Sequence, residues 1–201
     1  MNLSAAAGTS ALTQLFTALN GGSLTLYTGT PPADVAASLG SGNTALGTVD
    51  FASTALSGSI TTSGDNVVGT LAFAASSFTT SAAGTATFAR ALNSATTPAA
   101  VIDLGVCSPW LASTAIVVDQ MATNGGNLYI CTTAGTTASS GGPTGTGSAI
   151  TDGTVTWSYV QAGNASIVLN NAAVTSNLTV TINSATMSLP ITNPVGSAPV
   201  T

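Results

Sequence analysis

The groups in this 201-residue chain that could move protons, hold metals or attack substrates are few. The acids are Asp34, Asp50, Asp65, Asp103, Asp119 and Asp152, and the one basic side chain is Arg90. There is no Lys, Glu or His. Without imidazole there is no Ser-His-Asp arrangement and no histidine base, and without lysine there is no Schiff base. Glycoside hydrolysis needs two carboxylates at a set separation, and six dispersed aspartates nominate none. Asp65 and Asp152 stand in turn contexts, where Asp bonds its own backbone. No Asp-x-Asp-x-Asp-Gly loop suggests calcium. Gly141 to Gly147 is glycine-rich but lacks the Lys and following helix of a phosphate loop, so it reads as flexible loop. One cation cannot neutralise a run of phosphates, which argues against nucleic acid as a partner. The expectation is therefore a non-enzyme with no cofactor and no metal.

Trp110, Tyr129, Trp157 and Tyr159 are four of the five Trp and Tyr residues, all within one short stretch. Two readings stand. They form an aromatic platform for host-surface glycan, or they are the core that a small module needs. Trp157 and Tyr159 share a face with Val155 at period two, and that spacing favours the core. Arg90 either contacts a partner subunit or pairs with an aspartate, Asp103 being a candidate, and the ion pair is preferred. Cys107 and Cys131 read as two buried small hydrophobes in preference to a bridge.

These groups need elements to position them. Leu12, Leu15, Phe16 and Leu19 recur at helical spacing, predicting a helix over Ser10 to Asn20, capped by Ser10 and stopped by Asn20-Gly21-Gly22. Its apolar stripe would pack on its own sheet or on a neighbouring subunit. Strands are predicted at Leu24–Thr28, Val101–Val106, Leu128–Thr132, Thr154–Val160 and Ser166–Leu169. Another alternation runs through Leu178, Val180 and Ile182, then Met187, Leu189 and Ile191. Turns are predicted at Asp34–Ala37, Ser63-Gly64-Asp65-Asn66, Asn124-Gly125-Gly126-Asn127 and Asp152-Gly153. Three echoes, Gly47-Thr48-Val49-Asp50-Phe51-Ala52, Gly69-Thr70-Leu71-Ala72-Phe73-Ala74 and Gly84-Thr85-Ala86-Thr87-Phe88-Ala89, each read as a half-buried strand. Their uneven spacing excludes a solenoid.

Short strands punctuated by Gly and Pro predict a mainly β fold, an antiparallel sandwich or barrel with one short N-terminal helix and an inserted small β module. The host domain would be residues 1–106 plus 163–193, the module 107–162, and 194–201 an extended tail. No run of eighteen apolar residues predicts a membrane span. Met1-Asn2-Leu3-Ser4 lacks the features of a secretory leader, so none is expected. So few charges on a β surface suggest burial in an assembly.

At this point a likeness is visible. Leu24-Thr25-Leu26-Tyr27-Thr28-Gly29-Thr30-Pro31-Pro32-Ala33, Gly84-Thr85-Ala86-Thr87-Phe88-Ala89-Arg90 and Val101-Ile102-Asp103-Leu104-Gly105-Val106 resemble a family of small tailed-bacteriophage structural proteins. Leu128-Tyr129-Ile130-Cys131-Thr132-Thr133-Ala134-Gly135 with Asp152-Gly153-Thr154-Val155-Thr156-Trp157-Ser158-Tyr159-Val160 is similar to a module of phage fibre and other virion proteins. The resemblance implies a head decoration or cement protein, assembled in the bacterial host cytoplasm and located on the virion. Its partners would be the major capsid protein or other virion proteins. It would be a homo-oligomer, a trimer being favoured, with Leu12, Leu15, Phe16, Leu19 and Arg90 as candidate subunit contacts. The alternative is a tail or head-fibre component whose module binds host glycan.

Overall fold

Apolar residues at alternate positions need a second apolar face to cover them, and here a sheet closing on itself supplies it. The computed structural model describes residues 3–64, 66–95 and 99–190. Helix α1 (Ala5–Leu19) leads into β1 (Ser23–Tyr27), β2 (Ala45–Ser63), β3 (Asn66–Phe73) and β4 (Ser77–Thr79). Then come β5 (Gly84–Thr85), β6 (Phe88–Leu92) and β7 (Ala100–Pro109). The module holds β8 (Ala115–Ile116), β9 (Met121–Asn124), β10 (Asn127–Thr133), β11 (Gly135–Thr136), β12 (Ile150–Asp152) and β13 (Val155–Ala162). The chain finishes with β14 (Ile167–Leu169), β15 (Ala173–Val174) and β16 (Thr179–Pro190). Ile191 and the tail 194–201 lie outside the described residues, as does Asp65 in the turn between β2 and β3.

The fold is mainly β with a barrel-like closed sheet. Hydrogen bonding runs β7–β14–β16–β3–β2–β1–β6 and returns to β7. Inside are Leu24, Leu26, Val49, Phe51, Leu71, Leu104, Val106, Ile167, Val180 and Met187. Each fully buried side chain of this kind contributes roughly 1.5–3 kcal/mol. Antiparallel pairing is the expectation, but β7–β14 and β7–β9 are parallel. A parallel neighbour needs a crossover of a dozen or more residues. Between β7 and β14 the module is that crossover.

Helix α1 starts earlier than its apolar stripe suggests. The cap is Ser4, whose Oγ accepts from the Ala7 N–H at 3.2 Å, and not Ser10. Ala5-Ala6-Ala7 carries high intrinsic helix propensity, which extends the helix beyond the amphipathic part. The end is as expected, with Gly21 at φ 62°. Leu12, Phe16 and Leu19 are buried in the chain's own core, and Leu15 packs against it. Leu12, Phe16 and Leu19 serve intramolecular packing, which corrects their candidacy as subunit contacts; Leu15 is only half-buried.

The first two echoes lie in β2 and β3, where Phe51 and Phe73 face each other in register and stack at 5.3 Å. The third is not one strand. Gly84–Thr85 pairs with β15, while Phe88 and Ala89 open β6. Near the C-terminal end of the chain, Leu178 is exposed and outside the alternation. A register shift in the β14–β16 pairing at Ile182 to Ser184 moves the buried set from Val180 and Ile182 to Ala185 and Met187.

The module boundary expected at 106/107 falls inside β7. Val106 and Cys107 pair with β14, and Cys107, Ser108 and Pro109 pair with β9. The module is therefore continuous with the barrel sheet, although it keeps its own apolar cluster.

Candidate functional site

The module is built on two hairpins. Asn124-Gly125-Gly126-Asn127 turns β9 into β10 with Gly125 at φ 56° and Gly126 at φ 79°, as a two-residue hairpin loop requires. Gly153 turns β12 into β13. Between β10 and β13, Cys131 lies opposite Trp157 and Tyr129 opposite Tyr159. Tyr129 and Trp157 are fully buried, and Trp110 and Tyr159 pack half-buried against them. Tyr129 and Tyr159 meet edge to face at 6.1 Å. Tyr129 and Trp157 thus cannot stack on a sugar and are corrected to core residues, while Trp110 and Tyr159 keep part of their surface exposed.

A carboxylate organises that core. Asp152 Oδ2 accepts from the indole Nε1–H of Trp110 at 2.7 Å and of Trp157 at 3.1 Å. Its Oδ1 accepts from the Ala138 N–H at 2.9 Å. The glycine-rich segment expected to be flexible loop is fastened by similar bonds. Asn124 Nδ2 donates to Gly141 O at 2.9 Å and Pro143 O at 3.1 Å, and the Tyr129 hydroxyl donates to Gly145 O at 3.1 Å. Asp152 beside glycine reads locally as a turn residue; its indole partners lie 42 residues before and 5 after it.

Arg90 stands in a rung of outward-facing residues, opposite Thr25 on β1 and Asp103 on β7. Its Nε and Nη2 donate to Asp103 Oδ1 and Oδ2, each at 2.8 Å. Its Nη1 donates to Ala37 O at 3.2 Å, pulling the Asp34–Ala37 turn over the rung. Arg90 is 6% exposed, so its role is the ion pair and it is withdrawn as a subunit contact.

Two surfaces remain. On the outer side of β2, β3 and β16, one rung is Ser57, Thr70 and Thr186 and another is Thr61, Val68 and Ser188. Both are hydroxyl and methyl, with no charge. Secondly, a cleft of about 250 Å³ separates barrel from module. Phe88, Leu104, Met121 and Ile130 line it, with Thr30, Asp103 and Asp119. Thr30 Oγ1 donates to Asp119 Oδ2 at 2.6 Å across the cleft. Among the described residues no three His, Cys, Asp or Glu side chains gather as a metal site, and no helix is long and apolar enough to cross a membrane.

Cys107 and Cys131 are free and buried, and burial pushes both thiols above their ordinary 9.0. No protein-family model, curated protein or solved structure matches this chain.

Proposed function

We propose that this chain is a bacteriophage virion structural protein, a decoration or cement protein that binds the assembled head as a homo-oligomer. The observation that carries the reading is the uncharged pair of rungs on β2, β3 and β16. A protein with one basic side chain and a net charge of −5 has little ionic surface for solubility or steering. Its affinity for neighbours comes from shape, hydroxyl bonding and apolar burial. The exposed aliphatics support a second contact region: Leu111, Val117, Val118 and Val160, four of the five among the described residues, belong to the module. The likeness of Gly84–Arg90 and Leu128–Val160 to phage virion proteins supports the same class.

Imaging of intact particles tests it. Copies at regular positions on the head are expected, together with a trimer in sedimentation. A monodisperse monomer that leaves no density on particles defeats the reading. Copies confined to tail or fibre assign the chain to those parts instead.

A further inference from the structure

We infer that the cleft between barrel and module receives a lysine or arginine side chain carried by a different protein. Three observations lead there. The first is size. At about 250 Å³ the cleft falls below the roughly 300–1,000 Å³ of sites for drug-sized ligands, and it suits a single long side chain. The second is lining. Phe88, Met121 and Ile130 present an apolar wall, against which the methylene stem of a basic residue packs while its charged head stays at the rim.

The third is charge. Two carboxylates line the cleft, and they are not equivalent. Both oxygens of Asp103 are held by Arg90. Asp119 receives one hydrogen bond to its side chain among the described residues, from Thr30 to Oδ2, which leaves Oδ1 for another donor. The chain has no lysine and one arginine, and that arginine is committed to Asp103. A second copy of this chain therefore brings no free basic side chain, so the occupant comes from elsewhere. Asp119→Asn removes the charge while keeping the local geometry: a φ of 67° suits Asn as well, and an amide oxygen can still accept the Thr30 bond, more weakly than a carboxylate.

The inference holds wherever the chain resides, so its test uses the isolated protein and stands apart from the virion reading. The intact protein is titrated with n-butylguanidinium, n-butylammonium, n-butanol and a capped Gly-Arg-Gly tripeptide, following the Met121 and Ile130 methyl resonances by NMR. Both cations and the tripeptide should give saturable shifts, and the neutral alcohol should not. Asp119→Asn should weaken cation binding about tenfold, as loss of a charge-assisted bond does. High salt should weaken it in the wild-type protein, which checks the charge without a variant. Equal shifts with n-butanol, no effect of Asp119→Asn or salt, or no saturable shift overturns the inference. Binding of n-butylguanidinium without the tripeptide also overturns it, since the cleft would then admit a free cation and not a side chain on a backbone.

Discussion

The indole Nε1–H of Trp110 donates to Asp152 Oδ2 at 2.7 Å, joining the exit from β7 to the hairpin at the far side of the module. The same oxygen takes the Trp157 indole, and Oδ1 takes the Ala138 amide. Three donors therefore depend on one carboxylate that is 5% exposed. Asp152→Ala leaves all three without an acceptor, each unmet donor costing roughly 1–3 kcal/mol. The expected loss is about 3–5 kcal/mol, read by urea unfolding with tryptophan fluorescence. Asp152→Asn keeps one oxygen and should lose less. A change below about 0.5 kcal/mol for the alanine variant would show that these bonds do not hold the module.

Gly69 on β3 faces the ring of Phe16 in α1 so closely that a Cβ there overlaps Phe16, with Leu56 Cδ1 at 3.2 Å. Gly69→Ala should destabilise by about 1–3 kcal/mol through overpacking. Phe16→Leu should recover part of that loss in the double variant, because the smaller side chain clears the space. Additive losses in a double-mutant cycle would place the cost elsewhere.

What the sequence shows and hides follows from the range of each interaction. The alternation of Val155 and Trp157 and the turns at Gly125-Gly126 and Gly153 are local, and those hairpins form where their residues predict. The Arg90–Asp103 pair was legible because a lone cation among few aspartates has few choices. A barrel was one of the two architectures expected, but its closure through parallel β7–β14 pairing was not legible, since β7 meets β14 only after the whole module intervenes. The early start of α1 was missed because alanines carry propensity but no stripe. Asp152 was missed because a turn motif says nothing about indoles distant in sequence, and the cleft at Asp119 because it exists only once Thr30 and Met121 are brought together.

The fork between Arg90 and Asp103 is largely buried, with side chains 8% and 16% exposed. Lysine keeps the charge but not the two-pronged geometry, so Arg90→Lys should still cost stability. Arg90→Met abandons the Asp103 carboxylate and the Ala37 carbonyl, and about 2–4 kcal/mol should be lost. Arg90→Met with Asp103→Leu should lose less than Arg90→Met alone, because the stranded anion is gone. Denaturant unfolding of the four proteins measures the coupling, and a double variant as unstable as Arg90→Met would refute it.

Cys107 lies on β7 and Cys131 on β10, with β9 between them. Strands two apart are separated by roughly 9–10 Å, beyond disulfide reach. Native protein should show two thiols that react slowly with a thiol reagent and quickly in denaturant. Burial raises both thiols above 9.0 in the folded chain. As pH climbs past that value the unfolded chain releases protons that the folded chain retains, so stability should fall. Alanine or serine at both positions should flatten this part of the pH profile; an unchanged slope would assign it to other groups.

The joint between barrel and module predicts how the protein unfolds. Cys107 is hydrogen-bonded in the sheet between β14 and β9, so one residue belongs to both units. Cys107, Leu128, Ala165 and Val168 form a buried cluster there, with Met121 packed against it. Separate melting of the module would break the β7–β9 pairing and expose that cluster, a cost which ties the two cores together. Calorimetry should therefore show one transition, and tryptophan fluorescence, which reports the module, should coincide with far-ultraviolet circular dichroism, which reports the whole chain. Leu128→Ala, cutting a buried side chain at the joint, should lower stability by about 2–5 kcal/mol and separate the two probes. Two resolved transitions in the wild-type protein would instead mean that the shared strand transmits little between them.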